Sequence, residues 1–493
     1  MKLVNLLEKL DYKVIKGNVD IEIKHLIRDS RKVSAGDIFV CIKGANSNGH
    51  DFVLEVIEKG AKVVVIEENL KPEVMEKIPE GICLLQVENS RKALAFLSAA
   101  YFDYPAEKLI TIGVTGTKGK TTTTYMIQSV LERTGVKTGL IGTIETVIGD
   151  TRIPACNTTP ESYVVQESFA KMVEEGCKAV VMEVSSQGLM LDRVAGFEFD
   201  YGIFTNLSQD HIGPNEHKDF EDYMYWKSVL FEHCKTGIFN VDDAHAKDMM
   251  RNAKCKIETF GIEQEADLKA SNIQLFQKPG ILGISYDLSG KVTMPVEIDI
   301  PGRFSVYNSL TAISVCLHFT KDLRLIEKVL SEIRVKGRVE MIDVSPDFTV
   351  MIDYAHNAMS LESLLKSLRE YQPKRIVTLF GCGGNRDRNR RFEMGEVSSK
   401  LSDFTVITSD NPRFEEPEAI IEDILTGVKK ADGEYICIPD RKEAIKYAIE
   451  HGQKGDVIVL AGKGHEDYQE IKGVKYQMDE RVLISEIKEE LNL

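Results

Sequence analysis

Residues Leu109–Thr124 read LITIGVTGTKGKTTTT. The apolar run Leu109–Val114 predicts a buried strand. Gly116, Thr117, Lys118 and Gly119 follow as a glycine loop, then come Lys120 and four threonines, and then Met126, Ile127, Val130 and Leu131 at helical spacing. Strand, glycine loop, Lys-Thr and helix is the order that phosphate binding requires. Glycines let backbone N–H groups turn inward around phosphate oxygens, and the helix N-terminus adds a partial positive charge. In that arrangement Lys120 reaches the β- and γ-phosphates and the Thr121 hydroxyl ligates Mg²⁺. The motif is compact, G-x-x-G-K-T-T: Val114 stands where the longer pattern has its first glycine, and Gly113 is one residue early. An ordinary glycine-rich turn has no need of Lys-Thr after its last glycine.

A chain of 493 residues holds about three domains at roughly 100–200 residues each. With 43% apolar and 28% charged residues, a packed core is feasible. The net charge of −15 argues against general nucleic-acid binding, which needs a basic surface, but leaves room for an acidic ligand in a local basic pocket. The opening MKLVNLLEKLDYKVIKG reads as an amphipathic helix entering a domain, not as a secretory leader. No apolar run approaches the ~18 residues of a membrane span, so no membrane insertion is expected. Nine cysteines occur as singletons without a C-x-x-C pair, the pattern of reduced thiols in a cytoplasmic protein.

Residues 1–105 alternate strand-like runs and helical patterns as a small α/β domain, interrupted by Asp29-Ser30-Arg31 and by the polar loop Lys43–Asp51. From 106 to 336, the strand Ala179–Met182 delivers Glu183, and Tyr201–Thr205 delivers Asn206, Ser208, Asp210 and His211. In a parallel sheet such strand ends share the crevice of the phosphate loop, which makes Glu183 and His211 candidate metal or phosphate groups. Asp219–Phe231 predicts a mostly covered aromatic helix carrying Lys227, and Asn308 opens a helical pattern through Phe319. Lys336-Gly337-Arg338 suits a hinge. In 337–493 four apolar strands end in Asp353–Asn357, Gly381–Arg391, Ser409–Arg413 and Gly462–Glu466. This is a doubly wound α/β pattern with its site at the carboxyl edge. The arginines of 381–391 suit anion or carboxylate binding.

Gly116-Thr-Lys-Gly-Lys-Thr-Thr, Glu183-Val-Ser-Ser, Asn206-Leu-Ser-Gln-Asp-His, Asp353-Tyr-Ala-His and Gly462-Lys-Gly-His-Glu-Asp-Tyr-Gln, in this order, resemble the Mur ligases over nearly the whole chain. The resemblance implies an α/β fold of three domains: an N-terminal UDP-sugar-binding domain (1–105), a central P-loop ATPase (106–336) and a C-terminal Rossmann-like domain for the amino acid (337–493). It implies a cytoplasmic, monomeric enzyme that adds the third residue of the peptidoglycan stem peptide, in cell-wall biogenesis and hence cell division and shape. Its substrates would be ATP, UDP-N-acetylmuramoyl-L-alanyl-D-glutamate and a diamino acid.

By the same resemblance, Gly116, Thr117, Lys118, Gly119, Lys120, Thr121 and Thr122 would hold ATP with Asn308, Arg338 and Asp353. Ser30 would contact uridine, and Asn157, Thr158, Thr159, Ser185 and Arg193 the muramoyl-dipeptide. Thr121, Glu183 and His211 would hold Mg²⁺. Lys227 matches a lysine that the family carbamylates to bind a second Mg²⁺, and Lys120, Lys227 and His211 would be the catalytic set. Leu191 stands where the pattern usually has glutamine, and the loop after His211 differs in length, which leaves the role of His217 open. Arg386, Asp410, Asn411, Pro412, Arg413, Gly462 and Glu466 would hold the amino acid. The Asp410-Asn-Pro-Arg413 signature favours meso-diaminopimelate over L-lysine, because a distal carboxylate needs a cation while a distal ammonium is repelled by one.

The chemistry expected is phosphorylation of the D-glutamate carboxylate to an acyl phosphate, attack by the amine and loss of phosphate. Lys120, Mg²⁺ and the loop amides would offset the repulsion between the two anions. Domain closure would exclude water. Two rivals are a non-ligating nucleotide switch, which needs no amino-acid pocket, and a folylpolyglutamate synthetase, which would lack the long N-terminal domain and the Asp410–Arg413 signature.

Overall fold

The phosphate loop leaves the third of six parallel strands. In spatial order these are Thr138–Ile141, Ala179–Glu183, Ile110–Thr115, Phe199–Phe204, Cys234–Asn240 and Lys256–Gly261. The structure, a computed structural model, describes residues 1–44, 47–213 and 216–493. Ala45 and Asn46 of the Lys43–Asp51 loop, and Pro214 and Asn215 of the loop after His211, lie outside the described residues. The chain divides into two compact units, Met1–Gln264 with Ser314–Phe319, and Glu265–Ile313 with Thr320–Leu493. The unit borders fall inside the span 106–336 read from the sequence as the central domain.

In the first unit, the N-terminal part is a five-stranded sheet. Its strands Leu26–Ile27, Ile38–Val40, Val63–Ile66 and Cys83–Gln86 run parallel, and Lys13–Lys16 pairs antiparallel at the edge. Val63–Ile66 is VVVI and buried along its whole length, as a parallel strand covered on both faces should be. One sequence expectation fails here. The opening segment is helical only over Leu3–Leu6, and Lys13–Lys16 of the same stretch is a strand. Val14 and Ile15, both β-branched, decide it, since their stiff side chains fit a pleated edge better than a helix.

Among these six parallel strands, Ala179–Glu183 is buried throughout, and Phe169, Phe199, Phe204, Phe231 and Phe239 pack in the layer beside it. Register brings Glu183 level with Val114 and Phe204 level with Thr115. Three strands therefore deliver their following residues to one edge. The expected aromatic helix is α-helical over Phe220–Ser228 and continues as a 3₁₀ turn, Val229–Glu232. Its covering is incomplete, because Tyr225 is 49% exposed.

The sheet of the second unit orders Glu340–Ile342, Thr349–Asp353, Asp456–Ala461, Arg375–Phe380, Phe404–Ile407 and Tyr435–Cys437, parallel except for the first. The ends Asp353, Ala461, Phe380 and Ile407 are level. The helix expected from Asn308 starts earlier, at Arg303, and runs to Cys316. Pro301-Gly302 marks the true start, because the positive φ of Gly302 breaks the preceding chain. The hairpin Tyr468–Ile471 and Val474–Gln477, unforeseen, follows the Gly462–Glu466 loop. Among the described residues no helix is long and apolar enough to cross a membrane.

One buried ion pair ties the active edge of this sheet to its C-terminal helix, Glu480–Leu491. Arg441 donates through Nε to Glu480 Oε1 at 2.8 Å, and through its two other nitrogens to the carbonyls of Ser409 and Ala461, both at 3.2 Å. Both side chains are essentially inaccessible. Such a pair contributes little relative to a well-packed apolar pair, but breaking it strands a buried charge. Glu480→Ala should therefore lower unfolding free energy by about 3–5 kcal/mol, read from urea denaturation of the full chain; an unshifted transition would show that Arg441 is not charge-locked.

Candidate active site

Gly116 turns the chain at the end of its strand with φ +146°, and a Cβ there would lie 2.0 Å from Thr205 Oγ1. No other residue fits that approach. The neighbouring strand end pins the loop. Thr205 Oγ1 donates to Lys118 O at 2.8 Å, and Asn206 accepts from Lys118 N and donates back to Lys118 O, both at 2.9 Å. Thr117 N donates to Asn206 O at 2.9 Å. Two of the amides expected to face phosphate, those of Thr117 and Lys118, are thus committed to Asn206. Gly119, with φ +85°, leads into the helix Lys120–Arg133, whose first turn holds Thr121 and the half-buried Thr122.

The Lys120 ammonium folds over the loop and donates to Gly116 O at 2.8 Å and Thr117 O at 3.1 Å. Lys227 reaches the same carbonyl from the helix Phe220–Ser228, with Nζ donating to Gly116 O at 3.0 Å. It is buried and lies 4.5 Å over the Tyr223 ring. Burial, reinforced by the charge of Lys120 and only partly opposed by Asp210, pushes its amine well below the ordinary lysine range. Tyr223 in turn shares a 3.1 Å hydrogen bond with Thr117 Oγ1.

Glu183, buried at the end of its strand, accepts from Thr121 Oγ1 at 3.0 Å and from Thr143 N at 2.8 Å on Oε1, and from Thr143 Oγ1 at 3.0 Å on Oε2. Thr158 Oγ1 then donates to Thr143 Oγ1 at 3.0 Å. Thr159 Oγ1 donates to Glu183 O and accepts from Ser185 N, each at 2.9 Å. Arg193 donates to Thr159 O at 3.0 Å and pairs with Glu161 at 2.7 Å. Thr121, Glu183, Thr158, Thr159, Ser185 and Arg193 therefore form one connected network around Glu183, with Thr143 linking Thr158 to it. Thr143 was not singled out in the sequence, although it follows a strand end, Ile141, like the other candidates.

His211 is exposed, sits at φ +54° and pairs with Glu216 at 3.1 Å. Neither hydrogen bond nor ion pair links it to Glu183, and no group of three His, Cys, Asp or Glu among the described residues could hold a metal. The oxygen donors Thr121 and Glu183 nevertheless fit Mg²⁺, which takes one or two carboxylates and completes its shell with phosphate oxygens and water. His217 is fully buried and has a settled place: Nδ1 lies 3.0 Å from Asp222 Oδ2 and Nε2 2.9 Å from Ser186 Oγ. It thereby ties the helix that carries Lys227 to the turn after Glu183. Leu191 ends the short helix Ser186–Met190. Asn157 is exposed, and Ser30 lies half-buried on a separate 3₁₀ turn, where its carbonyl accepts from Lys59 at 3.0 Å.

The second unit has its own cavity at the strand ends, of about 140 Å³. Arg386, Asp410, Asn411, Arg413, Gly462 and Glu466 line it, and Pro412 does not. The arginines of 381–391 divide: Arg388 and Arg391 pair with Asp423, and Arg391 also with Glu415, so they hold the loop and are not offered to an anion. Arg386 stays exposed, while Arg413, at φ +52°, shares its guanidinium with Glu470 at 3.1 Å and Gly384 O at 2.8 Å. Nearby, Arg338 lies 4.9 Å over the Tyr354 ring, which also packs against His356 and His465. Burial, then Arg338, Lys336 and Arg481, pushes His465 down to about 4. Asp353 accepts from Val339 N at 2.9 Å and Ala355 N at 2.8 Å, and burial raises its carboxyl above the usual range. Asn308 is buried within its helix. Gly337 meets Gly464 so closely that a Cβ at 337 would lie 2.1 Å from Gly464 C.

The comparisons with known proteins agree with this layout. Residues 22–102 match the Mur ligase family catalytic domain, 114–316 the Mur ligase middle domain, and 337–464 the Mur ligase glutamate ligase domain. The chain is 44% identical, over all of both chains, to UDP-N-acetylmuramoyl-L-alanyl-D-glutamate--2,6-diaminopimelate ligase 1 of Clostridium acetobutylicum. It is 43% identical, again over all of both chains, to the like-named ligase of Clostridium tetani. A solved structure of another UDP-N-acetylmuramoyl-L-alanyl-D-glutamate--2,6-diaminopimelate ligase superposes with TM-score 0.74 at 27% identity, covering 100% of this chain and 99% of the other.

The Lys227 environment makes a pH prediction. Because its folded pKa is depressed, the unfolded chain holds more protons than the folded one between that depressed value and the ordinary lysine value of about 10.4, so stability must rise with pH in that window. In CO₂-free buffer, the unfolding free energy of wild type relative to Lys227→Met should climb as pH approaches about 10.4. A flat difference would mean that Lys227 is an ordinary ammonium.

Proposed function

The chain belongs to the Mur ligase family, and from that premise we propose that it joins meso-diaminopimelate to the D-glutamate of UDP-N-acetylmuramoyl-L-alanyl-D-glutamate with cleavage of ATP. It has the family's three-domain α/β architecture and is an ATP-dependent ligase of peptidoglycan synthesis. We take 1–105, 106–336 and 337–493 as its working domains, and the enzyme as a cytoplasmic monomer.

The observation that supports the amino acid is the chemistry of the second-unit cavity. The guanidinium groups of Arg386 and Arg413 and the carboxylate of Glu466 face one small space. A molecule with two carboxylates and two ammonium groups satisfies all three; L-lysine, with one carboxylate, leaves a guanidinium unanswered. Planar bidentate pairing makes arginine the suitable partner.

In the first unit, Lys120 would leave the Gly116 carbonyl for the γ-phosphate, with Gly116–Thr122 around the chain of phosphates. Asn308, Arg338 and Asp353, in the second unit, are the remaining ATP contacts carried over from the family. Thr121 and Glu183 would hold Mg²⁺, with His211 joining on substrate binding, and the ion supplies positive charge against the phosphates. Thr158, Thr159, Ser185, Arg193 and Asn157 would orient the dipeptide, and Ser30 the uridine. The γ-phosphoryl group passes to the side-chain carboxylate, giving ADP and an acyl phosphate. The neutral amine of the diamino acid then attacks the acyl carbon, the C–O bond to phosphate breaks, and a proton leaves the new amide nitrogen. A buried Lys227 amine whose pKa is pushed down gives up its proton more readily, its neutral form is a nucleophile for CO₂, and the resulting N6-carboxylate would be a second anionic metal ligand.

Two experiments test these readings. Purified protein, UDP-dipeptide and ATP with a panel of diamino acids should give amide with meso-diaminopimelate in preference to L-lysine; preference for lysine at equal concentration overturns the assignment, and phosphate release without any amine would favour a switch. In the same assay Arg413→Ala should cost diaminopimelate about 2 kcal/mol, the low end of the range for losing a charge-assisted pair because Glu470 already shares the guanidinium, and should spare L-lysine. For Lys227, enzyme equilibrated with ¹³C-bicarbonate should show a carbamate carbon resonance that Lys227→Ala lacks, and acetate should partly restore that variant's activity. A wild-type spectrum without the resonance would rule out carbamylation.

A further inference from the structure

Lys463 is fully buried and yet does not line the cavity. An ammonium has three donors and no acceptor, and each donor has a partner: Asn411 Oδ1 at 3.0 Å, Glu466 Oε2 at 2.9 Å and the Tyr468 carbonyl. The Tyr468 ring lies 5.1 Å from the same nitrogen. A buried charge persists only when paired and hydrogen-bonded; here the partner is a carboxylate of the cavity itself.

This grip fixes the groups around it. Asn411 Oδ1 accepts from Lys463 and also from Glu470 N at 2.8 Å. The amide cannot present its NH₂ end to a cation, so Nδ2 turns the other way and donates to Glu466 Oε2 at 2.9 Å. One oxygen of Glu466 is thereby doubly occupied, and the other, Oε1, is left for a ligand. Glu470, held by the same Asn411, accepts Arg413 Nε on its carboxylate and Arg413 N on its carbonyl, at 3.1 and 2.9 Å. One ammonium thus orders Asn411, Glu466 and, through Glu470, Arg413.

We propose that Lys463 is a positioning residue that sets which amino acid the cavity accepts, an inference that rests on the ligase reading above. By compensating Glu466 it lowers the pull of that carboxylate on a bare ammonium such as the far end of L-lysine. A head group carrying both ammonium and carboxylate still gains from Glu466 Oε1 and Arg413 together. Specificity is then a difference between two affinities, with compensation of Glu466 as the element that works against the wrong ligand.

The test compares wild type, Lys463→Met and Lys463→Arg, with diaminopimelate and L-lysine as alternative substrates. In Lys463→Met the KM for diaminopimelate should rise at least about 10-fold and the preference over L-lysine should fall at least about 10-fold, the effect of about 1.4 kcal/mol, while KM for ATP and for the UDP-dipeptide stay within about 2-fold. Lys463→Arg keeps the charge without the three-point grip, so KM for diaminopimelate should rise with the preference retained. A merely structural lysine would depress both amino acids and both other substrates alike, and that result overturns the proposal. If Lys463→Met does not fold, Lys463→Arg decides, and an unchanged diaminopimelate KM overturns it. A wild type that ignores diaminopimelate refutes the ligase reading and this inference with it; a wild type that uses it, with unaltered variants, refutes this inference alone.

Discussion

The carbonyl of Gly116 receives two lysine side chains, Lys120 at 2.8 Å and Lys227 at 3.0 Å. Two ammonium groups on one carbonyl repel each other strongly where water is excluded. Burial and the nearby Lys120 push the Lys227 amine well below the ordinary lysine range, which weakens that conflict. Much of the first unit serves this meeting. Thr205 leaves room only for a glycine at 116, Asn206 holds the loop amides, and His217 anchors the helix from which Lys227 projects. The result is two lysines in different surroundings at one point: Lys120 lies on the loop it closes, and Lys227 is buried against the Tyr223 ring.

Charge is managed differently in the second unit. Although the chain carries −15 overall, its strand ends gather arginines, and most of them are answered locally: Arg388 and Arg391 by Asp423 and Glu415, Arg441 by Glu480, Arg481 by Glu340 and Asp479. These pairs build the walls. Arg386, Arg390 and, in part, Arg413 remain for a ligand. Anion recognition is therefore concentrated in few groups, which makes the cavity selective and not merely basic.

The sequence made the strand ends legible because parallel strands are apolar runs and the residues after them break the pattern. Glu183, Asn206, Asp353, Asp410 and Glu466 could be found that way. The same rule could have reached Thr143, which follows Gly142 after Ile141. Lys463 could be quoted in its motif, but a lysine's burial leaves no trace in spacing or composition. The division of the arginines in 381–391 was equally hidden, since it depends on Asp423 and Glu415, some 30 residues away. His211 is exposed and paired with Glu216, an arrangement that a motif does not specify. The opening helix failed for a local reason: Val14-Ile15 prefers a strand edge, whatever the amphipathic pattern suggests.

Gly337 and Gly464 touch backbone to backbone, with no side chain between them. Packed side chains normally absorb small displacements by changing rotamer; two bare backbones cannot. Arg481 adds to the stiffness by donating to Gly464 O at 2.8 Å while gripping Glu340. The segment Lys336–Arg338 and the loop Gly462–Glu466 therefore behave as parts of one lever without slack. A shift of the first would be passed on to the neighbouring His465 and Glu466, the second of which lines the cavity.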